Sequence, residues 1–290
     1  MNRSSKRAGV GPRPRVFAAV AGLVAFVLVV GSWSRAGASS ASAPISLSSV
    51  RWIFYKEDFN HLNAEAPALI KQIIAGPGTY VLEHRAGGPP LPRKVIPAEM
   101  FFSSASLQTA IDHDQVIPGV KIVVYDLEDL VTTPAAERKD PIPAMKGFAR
   151  VAGAGGYQPI LVPGRDLMLV SGAMCAKQPR HTISQSYLRC GLPEAAAYAP
   201  IYVIQSAAVE TNLTALVQLV QESAAQARKA NPNVVVFATL SVSPNGAFVP
   251  YAAVVRAAKA IRPYVQGFEM NNIRPSDWRM IHFLKGLSQA

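Results

Sequence analysis

Lys121-Ile-Val-Val-Tyr125-Asp126-Leu127-Glu128-Asp129-Leu130 is the stretch on which the fold turns. A β-favouring run passes straight into three acids with no turn residue between. Side chains alternate faces along a strand, so Asp126 and Glu128 share a face with Ile122 and Val124, while Tyr125 and Leu127 point the other way. Acids at the carboxyl end of a buried strand sit where parallel α/β sheets place their chemistry.

Upstream, Arg51–Tyr55 reads as a strand. A helical stripe follows (Leu62, Leu69, Ile70, Ile73 and Ile74), stopped by Gly76-Pro77-Gly78. Thr79–Leu82 is a second strand, and Ala98–Phe102 a weaker one beyond the Gly/Pro-rich Arg85–Arg93. Ser104–His113 reads as a short helix before the Pro118-Gly119 turn. Downstream the alternation is regular. A helix over Ile142–Ala154 puts Met145, Phe148, Ala149 and Ala152 on one face. Strands are predicted at Pro159–Val162, Ile201–Ile204, Asn233–Leu240 and Val265–Met270. Between them run helices striped by Val209, Leu213, Leu216, Val217 and Val220, and by Tyr251, Val254, Val255, Ala258 and Ile261. Ser276 is placed to cap a last helix.

Strands alternating with amphipathic helices build βα units and a parallel sheet. With Ala98–Phe102 there are eight strands, the number that closes a (β/α)8 barrel; without it, seven strands would leave a doubly wound sheet open. No G-x-G-x-x-G or G-x-x-x-x-G-K-[ST] segment joins a strand to its helix, which argues against a nucleotide-binding sheet. A single barrel domain over residues 50–290 is therefore expected, and no internal repeat is evident.

Residues 1–15 carry Arg3, Lys6, Arg7, Arg13 and Arg15 and no acid. Val16–Val30 is apolar apart from Gly22, and Ala36-Gly37-Ala38 follows. This is the order of a secretory signal peptide, with cleavage after Ala38 and a flexible Ser/Ala-rich lead-in over 39–49. The alternative is an uncleaved anchor, although the apolar run is shorter than the roughly 20 residues of a spanning helix. The whole chain has 29 Lys and Arg against 18 Asp and Glu, a formal +11. Removing 1–38 takes away six basic residues and leaves +5. No basic stripe with interleaved aromatics remains, so nucleic acid is not an expected partner, nor is a membrane after cleavage. About 250 mature residues suffice for one large core.

Two acids spaced D-x-E on one strand lie roughly 7 Å apart at the backbone. Like charges that close raise one pKa, and glycoside hydrolysis needs one protonated acid and one carboxylate. Acids at strand ends also cap helices or pair with a rim arginine, which is the structural alternative. The Tyr125-Asp126-Leu127-Glu128 ending resembles the strand endings of secreted glycoside hydrolases of the barrel superfamily. Its D-x-E is similar to the end of the chitinase-type pattern D-x-x-D-x-D-x-E, in which the last Glu is the acid and the preceding Asp orients an acetamido group. The two earlier acids of that pattern fall on Lys121 and Val124. The resemblance therefore implies a general glycosidase-like barrel with Glu128 and Asp126 as site residues, and not substrate-assisted chitinase chemistry.

Arg165 and Asp166 end the next strand and are candidates to hold a carboxylate or a sugar hydroxyl. Glu269 is the late-strand acid available as a second carboxylate, with Asn271 as the competing inward residue. Gln205, Ser241 and Asn271 are neutral strand-end polars suited to sugar recognition or to helix capping. Tyr55, Phe102, Tyr125 and Trp278 are aromatics near the same end, as sugar platforms or as core. The five histidines (His61, His84, His113, His181, His282) have no H-x-x-x-H or H-E-x-x-H spacing, so neither zinc nor any other cofactor is expected. No G-x-S-x-G elbow is present. Asn212-Leu213-Thr214 matches a glycosylation sequon within a predicted helix and is taken as chance. Cys175 and Cys190 are the only cysteines and, in an exported chain, pair as one disulfide. Two readings stand: a glycan hydrolase using Asp126, Glu128 and Glu269, or a non-catalytic glycan-binding or structural barrel. The sequence does not set the oligomeric state.

Overall fold

The structure is a computed structural model that describes residues 44–83, 90–244, 247–271 and 278–289. Eight parallel strands close into a barrel in chain order: β1 Arg51–Tyr55, β2 Thr79–Glu83, β3 Val95–Phe101, β4 Ile122–Leu127, β5 Gln158–Pro163, β6 Ile201–Ile204, β7 Val235–Leu240 and β8 Gly267–Met270. The seven-strand open sheet is thereby excluded. β3 begins three residues earlier than its apolar run suggests, because Pro97 and Glu99 interrupt the pattern. Glu99 faces the helix layer, where its carboxylate accepts the Ile117 N–H at 2.7 Å.

Strand alternation sorts the apolar residues into two cores. Ile53, Leu82, Met100, Val124, Val162 and Phe237 fill the barrel. Trp52, Phe54, Val123, Tyr125, Phe268 and Met270 face outward to the helices. Those helices are α1 Lys56–Glu65, α2 Pro67–Ile73, α3 Ser104–Asp112, α4 Ala135–Lys139, α5 Pro141–Ala154, α6 Ile183–Arg189, α7 Leu213–Ala230, α8 Tyr251–Ile261 and α9 Trp278–Ser288. The first expected helix is two. Pro67 disfavours helical backbone at Ala66, which sits at φ −143° and ψ 55°, and then opens α2 from the first turn, where its missing N–H costs nothing.

Residues 44–49 are ordered against the barrel and do not form a flexible lead-in. Ile45 and Leu47 are buried apolar side chains. The Ile45 N–H donates to the Leu287 carbonyl at 2.8 Å, and the Trp52 indole donates to the Leu47 carbonyl at 3.0 Å. The expected signal peptide and Ser276 lie outside the described residues. Among the described residues no helix is long and apolar enough to cross a membrane.

The β5–β6 connection is long. It contains a 3-10 turn at Arg165–Leu169, then α6, whose Thr182 and Gln185 form a reciprocal capping box. A disulfide joins Cys175 to Cys190 across this loop, with Cα atoms 5.3 Å apart.

Candidate active site

Asp126 follows Ile122 and Val124 on the inner face of β4 and is buried near the carboxyl end of the strand. Glu269 has the corresponding place on β8. Its neighbours Phe268 and Met270 belong to the outer core, so its side chain points into the barrel, where it is buried. In a closed barrel of eight strands taken in order, β4 and β8 are directly opposite. The two acids thus enter the same mouth from facing walls. Thr239 on β7 is in register with Glu269 and donates its hydroxyl to Glu269 Oε2 at 2.6 Å. Tyr55 ends β1 on the inner face, next to β8. Asn271 continues the inward phase one step past β8, its N–H bonded to the Leu240 carbonyl at 3.0 Å, so Glu269 and Asn271 both face the site.

The electrostatics follow from four acids sharing one end of the barrel. Burial raises the pKa of Asp126 well above its ordinary value, and the charges of Glu128, Glu269 and Asp166 add to the rise. Burial likewise raises Glu128; a hydrogen bond from Gln205 opposes the rise and the Asp166 charge adds to it. Glu269 is pushed up to about 7, chiefly by burial and partly by Glu128, with the Thr239 hydroxyl pulling it back. The Tyr55 phenol is also raised, first by burial and then by Asp126, Glu269 and Glu128, which keeps it a proton donor beside the acids. All of these carboxyls therefore hold protons more readily than free acids do, and the Gln205 amide only moderates the rise at Glu128.

Glu128 is half-buried at the rim, and Gln205 Nε2 donates to its Oε1. Asp166 folds back to accept the Asp129 N–H at 3.0 Å. Gly164 makes this fold possible: a Cβ there would meet Asp166 Oδ1 at 2.2 Å and Glu128 Cγ at 3.0 Å. Arg165 does not form the simple rim pair with Asp166. Its guanidinium donates to the Ala207 carbonyl at 2.6 Å and reaches the Ser184 hydroxyl at 3.5 Å, tying the β6–α7 loop to α6. Ion pairs at this end join Arg138 to Asp129 and Lys56 to Glu83. Asp126, Glu128, Glu269, Asp166, Gln205 and Asn271 therefore gather at one end of the barrel.

Tyr125 does not join them. It lies on the outer face of β4, fully buried, stacked on Phe148 with centroids 4.4 Å apart, and donates its hydroxyl to Glu137. Its place in a substrate-binding set is corrected on this ground: the alternation that turns Asp126 inward turns Tyr125 outward. Ser241 is buried, with its N–H bonded to Glu210 Oε1 at 2.9 Å and its hydroxyl accepting from the Ser243 N–H at 3.0 Å. Thr239 and Glu210 escaped the reading of the sequence. Strand parity with Phe237 was the signal available for Thr239. Glu210 is held in a loop where Ala208 takes φ 69°, which no local pattern announces. Among the described residues, no three His, Cys, Asp or Glu side chains are grouped to hold a metal ion.

A closed eight-stranded parallel barrel with carboxyl groups converging at the carboxyl ends of opposite strands is a (β/α)8 barrel with a candidate active site on the face where such barrels carry their chemistry. Solved structures place the chain in that fold. One is a subgroup III GH128 curdlan-specific exo-β-1,3-glucanase from Blastomyces gilchristii, crystallised with glucose. It is 12% identical, covers 85% of this chain and 100% of its own, and superposes with a TM-score of 0.51. A putative α-L-fucosidase from Bacteroides thetaiotaomicron is 8% identical over 86% of this chain and 98% of its own, with a TM-score of 0.50. At these identities the likeness is one of fold. No protein-family model matches the sequence, and no curated protein does.

Proposed function

We propose that the protein is an exported glycoside hydrolase that cleaves an extracellular or cell-wall glycan by paired carboxyl chemistry. The observation that carries the reading is Glu269, turned inward on the strand opposite Asp126 and Glu128. It supplies the second carboxyl group that the β4 acids alone lack. Glu128, reachable from the rim, is the group that protonates the leaving glycosidic oxygen as the C–O bond breaks. Glu269 is the partner on the far wall; once ionised, as pH rises through about 7, it acts as base toward water or as nucleophile according to its distance from Glu128. Asp126, deeper on the same strand as Glu128, has its own proton affinity raised by burial and by the charges of Glu128 and Glu269. Arg165 fixes the loops, and Gln205, Asn271 and Asp166 bind sugar hydroxyls. The Cys175–Cys190 disulfide supports an oxidising compartment, and with it cleavage of a signal peptide after Ala38.

The test is reducing-end release from soluble β-1,3-glucan, fucosylated oligosaccharides and a panel of cell-wall polysaccharides. Wild type should cleave at least one, and Glu269→Gln should lower that rate by roughly 10²–10⁴. A panel that is bound but nowhere cleaved would replace this reading with that of a glycan-binding barrel.

A further inference from the structure

The mouth has a second feature that the acids do not use. Phe248, Tyr251 and Trp278 are large aromatic side chains left 48%, 38% and 52% exposed. They are not scattered. Arg279 lays its guanidinium over the Phe248 ring at 3.8 Å and over the Trp278 ring at 4.8 Å. His282, one turn along α9, meets Trp278 edge-on at 4.9 Å and Tyr251 at 5.3 Å. One network of ring contacts therefore joins the loop after β7 to the first turns of α8 and α9.

Topology gives the patch its place. In a βα barrel each helix starts at the end where the preceding strand finishes. Tyr251 is the first residue of α8 and Trp278 the first of α9, so both stand at the acidic end of the barrel, above β7 and β8. Those two strands carry the Thr239–Glu269 pair. The patch is thus the rim of the wall that supplies the second carboxyl group. Exposed aromatics grouped beside a cleft mark a binding surface, and a ring face matches the flat C–H face of a pyranose. Arg279 and His282 hold the rings in place, so little order would be lost on binding.

We infer that Phe248, Tyr251 and Trp278 form an outlying sugar-binding platform. It would hold units of a neutral polysaccharide away from the bond being broken, making the substrate a chain and not a small glycoside. The inference rests on the hydrolase reading for its ligand class, and its test is chosen so that the two fail separately. Binding of soluble β-1,3-glucan and of the other panel polysaccharides would be measured by affinity electrophoresis for wild type, Trp278→Ala, Phe248→Ala and the Glu128→Gln variant. Thermal melts of each accompany the series. Trp278→Ala and Phe248→Ala should each weaken polymer binding about tenfold, the scale of losing roughly 50 Å² of apolar contact. Both should leave the turnover of a disaccharide or aryl glycoside and the melt unchanged. Glu128→Gln should bind the polymer as wild type does. Equal polymer affinity in wild type and the ring variants overturns the platform. So does loss confined to variants that melt early, or binding of no polysaccharide by wild type. Weakened binding by the ring variants in a protein that cleaves nothing sustains the platform and sinks only the hydrolase reading.

Discussion

Glu269→Gln should change how stability depends on pH. The carboxyl group is hydrogen-bonded by Thr239, and burial pushes its pKa up to about 7 from an ordinary value of 4.5. Between those values the folded barrel holds a proton that the unfolded chain has released, so wild-type stability falls as pH rises through this window. Below pH 4.5 both states are protonated and the penalty vanishes; above 7 it is complete. A shift of this size corresponds to about 3 kcal/mol in full, of which about 2 kcal/mol develops between pH 5.5 and pH 8. Glutamine keeps the shape and carries no charge, so its stability has no such contribution. Urea unfolding of both proteins at pH 5.5 and 8 should show the difference, variant minus wild type, rising by about 2 kcal/mol in favour of the variant. A difference that stays constant between the two pH values would refute a proton-holding Glu269.

Gly164→Ala should be damaging out of proportion to one methyl group. The new Cβ would lie 2.2 Å from Asp166 Oδ1 and 3.2 Å from Glu128 Cα, so Asp166 must leave the Asp129 N–H and activity should fall at least tenfold while the barrel still folds; wild-type turnover would contradict the rim geometry. Non-reducing peptide mapping should link Cys175 to Cys190, and reduction should lower the melting temperature, since closing a 15-residue span is worth about 3 kcal/mol in the chain-entropy model. Intact-mass analysis of secreted protein should find a chain beginning at Ser39, and full-length chain recovered only from membranes would refute cleavage.

The barrel was legible because period-2 and period-3.6 patterns alternate cleanly from β4 onward. β3 was weak for a physical reason: Pro97 and Glu99 break its apolar run, and only the ladders to β2 and β4 make it a strand. The Asp126–Glu128 end could be read because alternation along one strand is local. Glu269 could not be phased alone, since Val265–Met270 reads as a six-residue strand while the ladder holds only Gly267–Met270. The outward turn of Tyr125 followed from the same alternation that turns Asp126 inward. Its partner Glu137 and the ring of Phe148 come from elements whose placement is tertiary. The turn of Arg165 to Ala207 belongs to the same class, because loops meet only after the barrel has closed.

The central claim is that Glu128 moves the proton at the bond being broken. Its most direct test is the turnover of Glu128→Gln on whichever glycan the wild type cleaves, read beside the thermal melt. The amide keeps the volume and an acceptor for the Gln205 donor, and a half-buried rim residue supports little packing. The expected result is a rate lower by roughly 10²–10⁴ with an unchanged melt. Wild-type turnover with an unchanged melt would contradict the claim.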